Sequence, residues 1–198
     1  MAVSIDDIKK LKELTGIGLT DAKVALVEAD GDFDKALEAL RKKGLTKAEK
    51  KADREAREGL IDSYVHSGRI GVLVEVNCET DFVARTDGFK EFAHNIALQV
   101  ASMNPQYVSE ADIPEEEIAR VRAEAEASEA VKGKPADIAA KIVEGQIKKN
   151  FADKVLLSQQ YVFDDTMTVE QYLKQTIAKT GENVVVNRFR RIELGVND

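Results

Sequence analysis

The first 44 residues carry apolar positions at helical spacing in three short runs. In SIDDIKKLKEL, Ile5, Ile8, Leu11 and Leu14 recur three residues apart, which puts them along one helical face. Ser4 precedes the run and Asp7 follows it three residues on, the spacing of a capping box. TGIG, Thr15 to Gly18, breaks the pattern, because two glycines two apart favour a tight turn. A second helix is expected from a Thr20 cap through Ala22, Leu26 and Ala29, ending at Asp30-Gly31. Asp32 then caps DFDKALEALRKKG, expected to stop at Gly44 with Arg41, Lys42 and Lys43 at the negative end of its dipole. Residues 1–44 therefore read as a compact three-helix bundle. Residues 45–57, LTKAEKKADREAR, are almost wholly polar and read as a charged, solvated linker helix.

The period changes after residue 58. LIDSYVHSGRIGVLVEVNCE holds two β-rich runs around Ser67-Gly68, a hairpin signal. With those two residues as the turn, paired positions sum to about 135, so Val65 faces Ile70, Ser63 faces Val72 and Ile61 faces Val74. One face then carries Ile61, Val65, Ile70, Val72, Val74 and Val76. A helix follows over 87–102, with Phe89, Phe92, Ala93, Ile96 and Val100 along one side. Residues 105–160 are helical by pattern, charged, and punctuated by Pro105, Pro114 and Pro135. TGENVVVNRFRRIEL reads as a third strand. Residues 58–198 thus form an α+β core, a small three-stranded antiparallel sheet covered by helices.

Composition narrows the chemistry. The chain has 198 residues and a formal charge of −7, which argues against phosphate-driven nucleic-acid binding and favours a protein partner. No run approaches the length of a membrane helix, and the N-terminus lacks the layout of a secretory signal. A single cysteine forms no internal disulfide and builds no zinc site. The expected location is cytoplasmic.

Catalytic candidates are thin. In the hairpin register above, His66 and Cys78 stand roughly 30 Å apart at about 3.3 Å per residue, so they form no dyad. Cys78 falls on the same face as Val74 and Val76, where a thiol packs as a small hydrophobe, and His94 points away from its helix's apolar stripe. TGIG lacks the third glycine and the preceding strand of a dinucleotide fingerprint, and no P-loop is present. As a bundle turn, TGIG leaves Ile17 and Leu19 either closing the small core or exposed for a partner. An apolar loop on such a bundle resembles that of ubiquitin-associated domains.

CETDFVART, Cys78 to Thr86, poses a similar choice. Thr80 can cap a helical turn and Asp81 sits well at its positive end. Phe82 lies outside the later apolar stripe and either caps the sheet or projects outward.

NCETDFVAR, Asn77 to Arg85, resembles the signature of the bacterial elongation factor Ts family, and LKELTGIGLTDAKVAL, Leu11 to Leu26, resembles its other signature. KPADIAAKIVEGQIKKNF and GENVVVNRFRRIELG also resemble family members, so the likeness runs the whole chain in order. Departures are modest: Lys12 stands where Arg is usual, Thr20 where Met is common and Ala22 where Cys is common. The resemblance implies a nucleotide-exchange factor that binds the translational GTPase elongation factor Tu in its GDP form, without direct nucleic-acid or membrane binding. It implies that Thr80, Asp81, Phe82 and Val83 enter the partner, the aromatic wedging between helices while the acid disturbs the network around the bound Mg²⁺. GDP then leaves and GTP rebinds. It further implies that the ubiquitin-associated-like bundle anchors the partner through Leu14, Ile17, Gly18, Leu19 and Lys23. No cofactor is implied and no bond is made or broken, so the protein is not an enzyme. A short chain with one core module implies a homodimer.

Overall fold

The computed structural model describes residues 3–15 and 17–196. Its helices are α1 (Ile5–Thr15), α2 (Leu19–Glu28), α3 (Phe33–Glu49), α4 (Asp81–Ala84), α5 (Asp87–Met103), α6 (Glu115–Glu126), α7 (Ala136–Phe151) and α8 (Val169–Thr180). Its strands are β1 (Glu58–His66), β2 (Ile70–Cys78), β3 (Gln160–Tyr161), β4 (Asp164–Thr168) and β5 (Val184–Glu193). β1, β2 and β5 form one sheet in that order, and β3 and β4 form another. The architecture is α+β, N-terminal helices followed by a small antiparallel sheet covered by helices. Two compact units divide the chain: Met1–Asp62, Glu75–His94 and Gln171–Val186 in one, Ser63–Val74, Asn95–Glu170 and Asn187–Asp198 in the other.

In the first unit, α1 to α3 close around Leu11, Ala22, Ala25, Leu26 and Ala36. Asp32 caps α3 by accepting from the Lys35 N–H at 3.0 Å, as its position in the sequence suggests. The α2 cap differs from expectation: α2 begins at Leu19 after Gly18, with no side-chain cap. Asp30 and Gly31 adopt positive φ, 54° and 82°. The Gly31 N–H reaches Leu26 O at 2.8 Å and the Asp30 N–H reaches Val27 O at 3.1 Å, the paired bonds of a Schellman end. The α3 backbone runs through Gly44 to Glu49 instead of stopping. One helical glycine costs only about 1 kcal/mol, and good helix formers follow it. On α5, Phe89 and Phe92 are fully buried. The Phe92 ring lies 5.1 Å from that of Tyr172 on α8.

The β1–β2 hairpin forms around the expected turn, with the Arg69 N–H donating to His66 O at 2.9 Å across Ser67-Gly68, but the buried face of β1 is not the expected one. The strands end at His66 and resume at Ile70. Ser67 and Gly68 sit at φ 51° and 67°, the two positive values that a two-residue hairpin turn requires. Leu60 and Tyr64 are half-buried, while Ile61 and Val65 are exposed at 68% and 65%. On β2 the expected face holds, with Val72, Val74, Val76 and Cys78 buried.

In the second unit, α6 and α7 replace part of the expected helical stretch, joined by an Arg122–Glu144 ion pair at 2.8 Å. Ile113, Val121, Phe151 and Val155 form their small core. The stretch is not helical throughout, since β3 begins at Gln160 and the β3–β4 hairpin follows. Two buried glutamines hold that hairpin. Gln99 Nε2 donates to Gln159 Oε1 at 3.1 Å and to Gln160 O at 3.0 Å, while Gln99 Oε1 accepts from the Val162 N–H at 2.9 Å. The Leu194 N–H donates to Arg69 O at 2.8 Å, which brings the end of β5 beside the start of β2.

Gly59, at φ 148°, occupies a conformation that side chains rarely adopt. A methyl group there would sit 2.7 Å from Asn77 Cα and closer still to the Val76 carbonyl oxygen. Both obstacles are backbone. Gly59→Ala should therefore destabilise folding by about 3 kcal/mol, combining strain and overpacking. Chemical denaturation measures this, and a midpoint unchanged from wild type would show that the strand can shift to make room.

Candidate partner-binding site

A four-residue helix cannot hold itself in water, because nucleation costs more than one or two hydrogen bonds return. α4 is such a helix, and side chains on either side of it supply what it lacks. Thr80 is its N-cap: the Thr80 Oγ1 accepts from the Val83 N–H at 3.4 Å. The same hydroxyl donates to Glu182 Oε1 at 2.7 Å, and the Thr80 N–H donates to Glu182 Oε2 at 3.0 Å. Cys78 donates its thiol hydrogen to Thr80 O at 3.1 Å. Each hydrogen-bonding group of Thr80 therefore has a partner.

Glu182 lies in the loop between α8 and β5, and its neighbour Asn183 completes the attachment. The Asn183 N–H donates to Glu79 Oε1 at 2.6 Å, and Arg54 Nη1 stands 3.5 Å from the same oxygen. Asn183 is itself buried, and its Nδ2 donates to Ala52 O at 3.3 Å and Arg54 O at 2.7 Å. Consecutive residues 79–80 are thus bound by consecutive residues 182–183. Burial, and secondarily the Glu182 charge, push the Cys78 thiol up to about 11. It stays neutral at physiological pH and, being fully buried, acts as packing.

On this turn the side chains divide by direction. Ala84 is buried and Val83 half-buried, whereas Phe82 is 78% exposed. Of the two placements the sequence leaves open, Phe82 takes the outward one. Asp81 pairs with Arg85 at 2.9 Å across one helical turn. With Arg85 exposed at 78% and Asp81 at 45%, such a pair contributes at most about 1 kcal/mol, and a partner can displace it. His94 Nδ1 bonds Asp62 Oδ2 at 2.9 Å, and His66 Nδ1 bonds the Tyr64 hydroxyl at 2.9 Å.

The bundle residues separate in the same way. Ile17 packs against the bundle core, while Leu14 and Leu19 are 46% and 52% exposed on either side of the loop. Gly18 caps α2, and Lys23 is exposed on it. Sequence reasoning missed the exposed Val24 and Val27 on α2, which their place off the buried Ala22 and Leu26 stripe could have indicated. It also missed Glu79, Glu182 and Asn183. Glu182 and Asn183 stand inside TGENVVVNRFRRIEL, whose pattern indicates only a strand. Among the described residues, no group of three or more His, Cys, Asp or Glu could hold a metal ion, and no helix is long and apolar enough to cross a membrane.

The family model described as Elongation factor TS matches residues 45–196. Elongation factor Ts of Thermotoga maritima is 55% identical over 98% of each chain. That of Thermoanaerobacter pseudethanolicus is 50% identical over 98% of this chain and 95% of its own. That of Fervidobacterium nodosum is 48% identical over 98% of this chain and all of its own. A family model over residues 45–196 and identities of 48–55% over nearly the full length lead to one conclusion: the chain belongs to the elongation factor Ts family.

Proposed function

We propose that this protein is a guanine nucleotide exchange factor for elongation factor Tu, acting in the cytoplasm by binding alone. The observation that carries the reading is the exposure of Phe82 on a turn whose cap residue, Thr80, is bound internally. A large apolar side chain kept in water is suited to a partner's pocket. On this reading Thr80 to Val83 are presented to the GTPase, where Phe82 wedges between helices and Asp81 disturbs the water-mediated ligands of Mg²⁺. The ion neutralises the diphosphate, so loosening it weakens GDP. Reciprocity then requires that GDP weaken the factor's binding by the same free energy.

Residues 1–44 serve as the anchor, 45–57 as the linker and 58–198 as the exchange and dimerisation module. Exposed Leu14 and Leu19, with Lys23 nearby in sequence, support the anchoring role, in which Ile17 and Gly18 shape the loop. Pairing of two copies through the last strand is supported by β5 being an outer strand of its sheet and by exposed Ile192 and Leu194.

Three measurements test these parts. Phe82→Ala should change folding stability by less than about 1 kcal/mol, as at other exposed sites. It should slow release of labelled GDP from elongation factor Tu by roughly 30-fold, the equivalent of a hot-spot aromatic worth about 2 kcal/mol. Asp81→Ala should also slow release and regain speed with EDTA, which removes the ion chemically. A Phe82→Ala protein that melts far below wild type yet releases GDP normally in its folded fraction would falsify the wedge.

The anchor is tested by Leu14→Ser combined with Leu19→Ser. This pair should raise the concentration needed for half-maximal exchange by about tenfold while the rate at saturation stays near wild type. Unchanged affinity would remove the bundle loop from the interface. For the pairing, light scattering at micromolar concentration should give twice the chain mass, and a strictly monomeric mass would refute it.

A further inference from the structure

Thr80 opens the exposed turn, yet its polar groups are spent inside the protein. Its N–H and its hydroxyl both go to one carboxylate, Glu182, at 3.0 and 2.7 Å, across 102 residues of sequence. A carboxylate accepting two bonds from one residue fixes both the backbone and the side-chain rotamer of that residue. With its hydrogen committed to Glu182 Oε1, the Thr80 hydroxyl turns a lone pair toward the Val83 N–H, and that bond caps α4. The relay runs from Glu182 through Thr80 to Val83, and Phe82 lies between the last two. Asn183, bound to Glu79 at 2.6 Å and to the backbone of Ala52 and Arg54, holds the adjoining residue of each segment.

We infer that Glu182 is the positioning residue of the exchange turn: through Thr80 it fixes the direction in which Phe82 projects, without touching the partner itself. The inference rests on the exchange reading above and assigns Thr80 the role of an internal link in place of a contact. A wedge already held in its working direction enters its pocket without first being ordered, and that ordering cost would otherwise fall on the displacement step. Losing Glu182 should therefore lower the rate of displacement more than the strength of the encounter.

The test uses full-length protein and elongation factor Tu bound to labelled GDP, with release followed over a range of factor concentrations. Glu182→Ala should lower the maximal release rate, per folded molecule, by about tenfold, the effect of losing charge-assisted bonds at one residue. The half-maximal concentration should move less than about threefold, because the anchor is untouched. Glu182→Gln keeps one acceptor for the Thr80 N–H and should fall between the two. Thr80→Val, which removes only the hydroxyl, should also slow release, and Thr80→Ser should restore it. Should Glu182→Ala fold poorly, the Thr80 pair carries the test.

Because the two residues act in series, combining Glu182→Ala with Thr80→Val should cost no more than about twofold beyond Glu182→Ala alone. Chelating Mg²⁺ with EDTA should bring Glu182→Ala within about twofold of wild type, since displacement is then no longer required. A maximal rate unchanged per folded molecule, multiplicative effects in the double variant, or a defect undiminished by EDTA would each overturn the assignment. Phe82→Ala run in parallel locates a failure. Slow Phe82→Ala with normal Glu182→Ala overturns the positioning alone, and both normal overturns the wedge as well. Normal Phe82→Ala with slow Glu182→Ala shows that Glu182 acts through something other than Phe82.

Discussion

The bond pair between Glu182 and Thr80 is the constraint on which the exposed site depends. Without it, α4 is a four-residue helix with a half-satisfied cap and no reason to hold one shape. With it, a turn at the end of β2 is tied to the loop that opens β5, and Asn183 repeats the tie at Glu79. The two segments are far apart in sequence, so the cost of closing the loop between them is met once, by the fold as a whole. The polar bonds then act as local fasteners on a chain already brought together. This division explains why buried Asn183 spends its side chain on the carbonyls of Ala52 and Arg54, where an unpaired amide would be costly.

Much of this fold is legible from periodicity, and what is not has identifiable causes. The bundle, β2, α5 and the last strand each carry an apolar pattern of one period, and each appears where that pattern lies. GLIDSYVH is different, because it carries apolar residues in both phases: Leu60 and Tyr64 in one, Ile61 and Val65 in the other. Pattern cannot choose between them. Packing chooses, and it half-buries Leu60 and Tyr64 while Ile61 and Val65 stay exposed. The β3–β4 hairpin escaped notice because its strands are two and five residues long and its fastening comes from buried glutamines, residues that periodicity counts as exposed. Gly44 reads as a stop because glycine often ends helices, yet its cost is small enough for good helix formers after it to override.

The site was half legible for the same reason. The resemblance of NCETDFVAR identified the turn, and Phe82 stood out because no apolar stripe claimed it. Its outward direction was implied by the resemblance alone and not by the pattern, since direction depends on Thr80, and the state of Thr80 depends on a carboxylate 102 residues away. Short-range patterns report what a residue does for its own helix or strand. Long-range polar bonds leave no period in the sequence.

Magnitudes limit what the aromatic alone can do on the proposed reading. Moving a largely exposed phenyl ring into an apolar pocket is worth about 2–3 kcal/mol at the usual value per area, and the same free energy is the most it can take from GDP by linkage. That corresponds to roughly 30- to 150-fold, since each 1.4 kcal/mol is about tenfold. A larger loosening of GDP has to draw on further contacts, and the Asp81 carboxylate near the partner's ion is the one next to it in sequence. For both contributions to reach the displacement step undiminished, the turn must arrive ordered. A rigid exposed aromatic and a displaceable exposed ion pair, on a helix too short to order itself, are compatible only if the order is imposed from outside that helix. Glu182 is placed to impose it.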